Sequence, residues 1–315
     1  MNSQKQERMI VFILGNGFDL AHGLKTRYTD FLATCCEEEL QSNIWFKYFN
    51  ETKEQIEENW FNLEQAIYNV IMNELRYLKP PYHNTQEVKA KAKVMYEGTN
   101  GNSLRFFVDQ FGKYLLEQLK NPDLTQKQKF LDFLKNKILK EYNKIRIVNF
   151  NYTNTFEKLY RDYLYSKDGT LDISTYYVHG SLEENNLVLG TQNLLDLDQY
   201  KDLRVRESPF RIFTKESQRF HYETNKDYQK LLKELEEANR KSITFHIIGH
   251  SLDKADHKIL NKILCYLGSE RNIGDINIYR YEKNESWEIL KNIEEILEDT
   301  SYEERASLTP LETII

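Results

Sequence analysis

The sequence predicts an α/β fold: a mostly parallel sheet with a large helical insertion after its first strand. Three observations carry that expectation. The apolar run Met9-Ile-Val-Phe-Ile-Leu14 stops at Gly15-Asn-Gly17 and leads into a helix start. The next comparable strand begins only at residue 144, and strand and helix patterns then alternate to the end of the chain. The long interval between carries apolar residues at helical spacing.

The first run is too brief for a membrane helix, and glycines end it. That is how a Rossmann-like, phosphate- or nucleotide-binding β-α turn reads. Gly15, Asn16, Gly17 and Asp19 are its candidate ligand-binding residues. The glycines can take positive φ and let a ligand approach the backbone, while Asp19 bonds a ribose hydroxyl or caps the following helix. The spacing is G-x-G-x-x-L, with Leu20 where a dinucleotide fingerprint has its third glycine.

From 26 to 142 the pattern is helical. Leu63, Ile67, Val70, Ile71, Leu75 and Leu78 recur at three and four, as do Leu104, Phe107, Val108, Phe111, Leu115 and Leu119. Phe130, Leu131, Leu134, Ile138 and Tyr142 continue the theme, and all these stripes read as the core of a helical subdomain. Segment 80–102, with Pro80, Pro81, Gly98 and Gly101, reads as a loop.

Strands are expected at 144–149, 174–178, 243–248 and 275–281, with a shorter sixth run at 186–189, and helices at 226–240, 253–267 and 285–298. The expected organisation is a nucleotide-binding domain from 1–25 and 143–300, a helical subdomain over 26–142 and a tail over 301–315. In an open α/β sheet the carboxyl ends of the strands face the ligand crevice. The second run ends in Asn149-Phe-Asn-Tyr-Thr153, which places Asn149, Asn151, Tyr152 and Thr153 beside the glycine turn; Asn151 or Thr153 also suits a helix cap. The third ends in His179-Gly-Ser, and histidine titrates where proton transfer near neutrality requires it. The fourth ends in Gly249-His-Ser251, where Gly249 admits a ligand and Ser251 can bond a phosphate, followed by Asp253 and Asp256 as capping or orienting residues.

Composition narrows the function classes. At 315 residues and 40% apolar content, with 21 Tyr and 17 Phe, the chain can bury a core without disulfides. Three cysteines with no Cys-x-x-Cys pair make no four-ligand zinc site, and His22, His179 and His250 lack metal-ligand spacing, so no metal is expected. Sparse cysteine, no secretory leader pattern and no run of about 18 apolar residues suggest a cytoplasmic protein without a membrane anchor. The net charge of −6 argues against dedicated nucleic-acid binding.

The ordered set I-L-G-N-G-F-D-L-A-H-G (13–23), E-N-W-F-N-L-E (58–64), N-F-N-Y-T (149–153), H-G-S-L (179–182), L-V-L-G (187–190) and G-H-S-L-D-K-A-D (249–256) resembles the bacteriophage abortive-infection AbiH family over roughly residues 9–267. That family is in turn similar to sirtuin-like domains of antiphage proteins, several of which consume NAD⁺. The resemblance implies an antiphage protein with a sirtuin-like fold that takes NAD⁺, or a related nucleotide, as substrate or ligand. Asn151 falls on the Asn of the T-x-N-Y-D stretch and His179 on the catalytic strand-end histidine. Gly15 and Gly17 fall on the glycine turn, Gly249 and Ser251 on the late Gly-x-Ser, and Tyr152 and Thr153 beside the nucleotide. Two departures, Thr153 for the usual Asp and Gly-Asn-Gly-Phe-Asp for Gly-Ala-Gly, bear on activity. They leave a nucleotide or ADP-ribose sensor that gates a partner as the alternative. The insertion is the candidate for sensing a phage trigger or for homo-oligomer assembly.

Overall fold

The computed structural model describes residues 8–51, 61–76, 86–98, 103–167, 171–191, 209–238, 243–254, 256–265, 275–281, 286–297 and 306–315. Six strands form one sheet: β1 (Met9–Leu14), β2 (Lys144–Asn149), β3 (Asp172–Tyr177), β4 (Ile243–Ile248), β5 (Ile276–Arg280) and β6 (Ala306–Pro310). Every neighbour pairs in parallel, in the order β3-β2-β1-β4-β5-β6. This is the Rossmann-like doubly wound order, whose direction of winding reverses between β1 and β4 and opens a crevice at their carboxyl ends.

The chain divides into two compact units, Met1–Leu24 with Gln118–Glu183 and Thr224–Ile315, and Lys25–Glu117 with Glu184–Glu223. In the sheet unit all six residues of β1 are buried, because both faces of the sheet are covered. Met9, Val11 and Ile13 meet Leu231, Leu235, Ile259, Leu260, Ile289 and Ile293 from helices Asn225–Glu237, His257–Cys265 and Ser286–Leu297. Ile10, Phe12 and Leu14 belong to the opposite core, with Phe18, Phe130, Phe133, Leu134, Phe156 and Tyr160. Arg146 of β2 keeps a buried position by pairing with Asp172 at 2.6 Å and Glu234 at 2.5 Å, which offsets the cost of desolvating its charge.

The helical unit is built on aromatic side chains. Phe31, Phe46, Phe49, Phe107 and Phe111 pack edge-on or tilted, and Trp45 lies 5.6 Å from Phe213. Leu63, Ile67, Val70 and Ile71 of helix Phe61–Arg76 are buried, as are Leu104, Phe107, Val108, Phe111 and Leu115 of helix Leu104–Gln118. Lys215 is buried and pairs with Glu64 at 2.5 Å. The side chains of Leu75 and Leu78, and residues 58–60 of the quoted E-N-W-F-N-L-E motif, lie outside the described residues, as do 239–240, 266–267, 285 and 298 at the ends of expected helices.

Four expectations are corrected. Residues 186–189 form no strand: Leu187, Val188 and Leu189 are buried, and Gln218 binds the Leu189 N–H and C=O at 2.9 and 2.8 Å in place of a strand partner. The sixth strand is instead β6, inside the expected tail 301–315. Its short polar sequence Ala-Ser-Leu-Thr-Pro ends in proline, which an edge position accepts. Segment 80–102 contains a helix, Gln86–Glu97, whose Val88, Ala92, Met95 and Tyr96 face inward between lysines; 80–85 and 99–102 lie outside the described residues. Finally, Phe130, Leu134 and Ile138, in helix Lys127–Phe133 and the π turn Leu134–Ile138 that continues it, cover the sheet. The helical unit therefore stops short of the expected 142 and gains 184–223.

Candidate functional site

The turns after β1, β2, β3 and β4 meet at one rim of the sheet unit. Gly15 donates its N–H to Ile248 O at 3.0 Å, Gly17 to Gly249 O at 2.8 Å, and Phe18 to Gly15 O at 2.9 Å. Gly15 lies at φ −116° and takes no left-handed conformation; the positive φ belongs to Gly249, at +61°. The glycines of the first turn are required by close approach. A Cβ on Gly15 would stand 2.5 Å from His250 Cα, one on Gly17 2.8 Å from Gly249 Cα, and one on Gly249 2.4 Å from Phe18 N. The expectation of positive φ at Gly15 and Gly17 is thus corrected. The Gly17 and Phe18 amides are engaged by neighbouring carbonyls, whereas Asn16 is half-buried and Ser251 exposed at the same rim.

The β2 turn docks onto this plate. Asn149 Nδ2 donates to Thr153 O at 2.8 Å and its Oδ1 accepts the Asn151 N–H at 2.9 Å, so Asn149 folds the segment that follows it. Asn151 Nδ2 then donates to Gly15 O at 3.0 Å. Thr153 Oγ1 donates to Asp19 Oδ2 at 2.5 Å, with Thr155 Oγ1 donating to Thr153 Oγ1 at 3.2 Å behind it. Asp19 is buried, with no hydrogen bond at Oδ1. Burial pushes its carboxyl up to about 6, against the opposing pull of Thr153, Thr155 and Asn151. Asp19 thus holds the Thr153 hydroxyl from inside the fold. His22 is likewise internal: its ring bridges Phe18 O at 2.7 Å and Tyr160 Oη at 2.5 Å, and burial lowers its pKa.

The β3 turn lies alongside. Val178 donates to Asn149 O and Leu182 to Tyr152 O, both at 3.0 Å, and Gly180 takes φ +79° to turn the chain after His179. His179 is buried, with Nε2 3.0 Å from Asp256 Oδ1. His250 Nε2 lies 3.9 Å from the other oxygen of the same carboxylate, and the Phe150 ring meets His179 and His250 edge-on at 5.4 and 4.5 Å.

All the sequence-predicted site residues therefore lie on this rim or just beneath it. Asn151 and His179 sit on adjacent bonded turns, Tyr152 is half-buried beside them, and Thr153 and Asp19 form a buried pair. The role of Asp256 beside His179 escapes a reading by adjacency, since Asp256 belongs to the element after β4 and His179 to the turn after β3. The legible signal is only an acidic residue six positions beyond the strand-end histidine His250. Among the described residues no group of three or more His, Cys, Asp or Glu is arranged to hold a metal ion, and no helix is long and apolar enough to cross a membrane.

Comparison with known proteins places a sequence family on this geometry. The family described as "Bacteriophage abortive infection AbiH" matches residues 11–273, a stretch that includes every residue named at the rim. No curated protein matches the chain.

Proposed function

The chain belongs to the bacteriophage abortive infection AbiH family, and we propose that the defence role this implies is exercised by cleaving NAD⁺ or a related nucleotide at the strand-end rim. The observation that carries the reading is the His179–Asp256 contact at 3.0 Å beside the Asn149–Thr153 turn. In NAD⁺ the bond from C1′ to nicotinamide breaks toward an already cationic leaving group, so the site has only to orient the ribose, admit water and accept one proton. His179 is the proton acceptor as water adds to C1′, and nicotinamide departs with the bonding pair to leave ADP-ribose. The exposed Ser251 and the half-buried Asn16 and Tyr152 line the rim at which the nucleotide would lie.

A second reading has its own support. Asn151 is buried with its amide engaged by Gly15 O, and the Gly17 and Phe18 amides are engaged within the turn. A site so satisfied internally suits a sensor that binds a nucleotide without cleaving it. Incubating the purified protein with NAD⁺, NADP⁺, ATP and GTP, alone and with lysate of infected cells, and resolving products by mass separates the two. Nicotinamide and ADP-ribose in equal amounts support cleavage; unchanged nucleotides under both conditions, with binding by calorimetry, favour the sensor.

A further inference from the structure

We propose that Tyr281, at the carboxyl end of β5, is the platform on which the second base of a dinucleotide stacks, at the end of the ligand away from the bond that breaks. The inference deepens the cleavage reading above and rests on it. Tyr281 closes the expected strand 275–281 and lies beyond residues 11–273, the stretch that the family matches. Two contacts fix where it stands. Gly249 donates its N–H to Tyr279 O at 2.8 Å, which ties the end of β5 to the turn after β4. A Cβ on Gly17 would lie 2.9 Å from Tyr281 Cβ and 2.8 Å from Gly249 Cα, so position 17 is kept bare by Tyr281 as much as by Gly249. Tyr281 is therefore rooted against the first turn of the crevice that opens between β1 and β4. Yet it is 41% exposed, whereas Tyr279, two residues earlier, is 7% exposed and stacked on His246 at 5.6 Å. An aromatic residue packed at its root and open to solvent beyond it offers a flat base a stacking surface.

The register of the sheet decides which ring of the ligand this is. Tyr177, Asn149, Leu14, Ile248 and Tyr279 pair in one row across β3, β2, β1, β4 and β5. His179 and Tyr281 each stand two residues past that row, at its opposite ends. Four strand spacings, roughly 19 Å, separate their backbones. On the cleavage reading the nicotinamide ribose lies at His179, so the ring at Tyr281 is a different one. A ligand that serves both ends carries a ring system at each end of a long linker, which is the build of a dinucleotide and not of a mononucleotide. Its pyrophosphate then crosses the rim past Asn16 and Ser251, and Tyr281 sets affinity and ligand class without touching the reacting atoms.

The test is calorimetry with ADP-ribose and with nicotinamide mononucleotide, which lacks the adenine, on the wild type, Tyr281→Phe, Tyr281→Leu and Tyr281→Ala. Only phenylalanine keeps the stacking face. Tyr281→Phe should bind ADP-ribose within about threefold of wild type, while Tyr281→Leu and Tyr281→Ala should bind it roughly 5–100-fold more weakly. Nicotinamide mononucleotide should bind all four proteins alike. If Tyr281→Ala fails to fold, the contrast between phenylalanine and leucine decides, because leucine keeps the Cβ against Gly17. ADP-ribose bound equally by Tyr281→Leu and the wild type overturns the proposal, as does a leucine variant that loses both ligands to the same degree. Neither measurement needs turnover. A wild type that binds ADP-ribose through Tyr281 and leaves NAD⁺ intact overturns the cleavage reading alone, and one that binds neither ligand overturns both.

Discussion

Asp19 holds a carboxyl out of water, and its chemistry there is opposite to that of a surface aspartate. Its folded pKa of about 6 stands above the ordinary 3.8, so its favourable contribution is fully present below about pH 4 and is lost as pH rises through 6. Asp19→Asn keeps an acceptor for the Thr153 hydroxyl and removes the buried charge. It should stabilise the protein by up to ~3 kcal/mol at pH 8, the difference shrinking through pH 6 and vanishing near pH 4. Urea unfolding across that range checks it, and a variant less stable than wild type at pH 8 refutes it. If the rim cleaves NAD⁺, His179→Ala should lower that cleavage by ~10²–10⁴-fold, read by product mass at matched folded protein. That the strand-end polar residues share one rim was legible because a parallel sheet brings the carboxyl ends of its strands together. Asp19 as a buried brace and Asp256 as a histidine partner were not, since both contacts join elements distant in sequence and each residue also suits a helix cap.

At the scale of elements, strands buried on both faces announced themselves. β1, β2 and β4 occupy the segments that apolar or β-rich runs predict, and β1 reads as one continuous apolar run because a parallel strand with both faces covered needs no polar side. β6 and helix Gln86–Glu97 were hidden by the converse effect: a short, half-buried edge strand and a lysine-rich helix carry few apolar residues in a row. The glycine turns were legible as turns, but their reason is contact between backbones. Gly249→Ala adds a Cβ 2.4 Å from Phe18 N at a left-handed φ, so it should destabilise by roughly 1–3 kcal/mol and lower the melting temperature, whatever its effect on a ligand. Thermal melts of the nucleotide-free protein test this, and an unchanged midpoint would refute the close-packed turn. In the helical unit, Leu115→Ala removes a fully buried side chain and should cost ~2–5 kcal/mol without changing turnover per folded molecule. Denaturation and single-turnover assays on the same sample decide it.

For the whole molecule, membership of the abortive-infection family places its role in phage defence, and that membership was legible as an ordered set of motifs. Physics alone supplied the fold and the rim. If cleavage is the effector step, His179→Ala should abolish protection against phage together with the fall in cellular NAD⁺, and protection that survives without the histidine would point to the sensor. The central place of β1 has a consequence for synthesis. This strand leaves the ribosome first, yet its two partners, β2 and β4, begin at Lys144 and Ile243. At roughly 5–20 residues per second, the wholly apolar Met9–Leu14 waits about 7–27 s for its first partner and about 10–50 s before its second edge is covered. Nascent chains stalled before residue 144 should therefore bind a holding chaperone through this segment, and Val11→Lys should release them in a crosslinking assay while also preventing the finished sheet from forming.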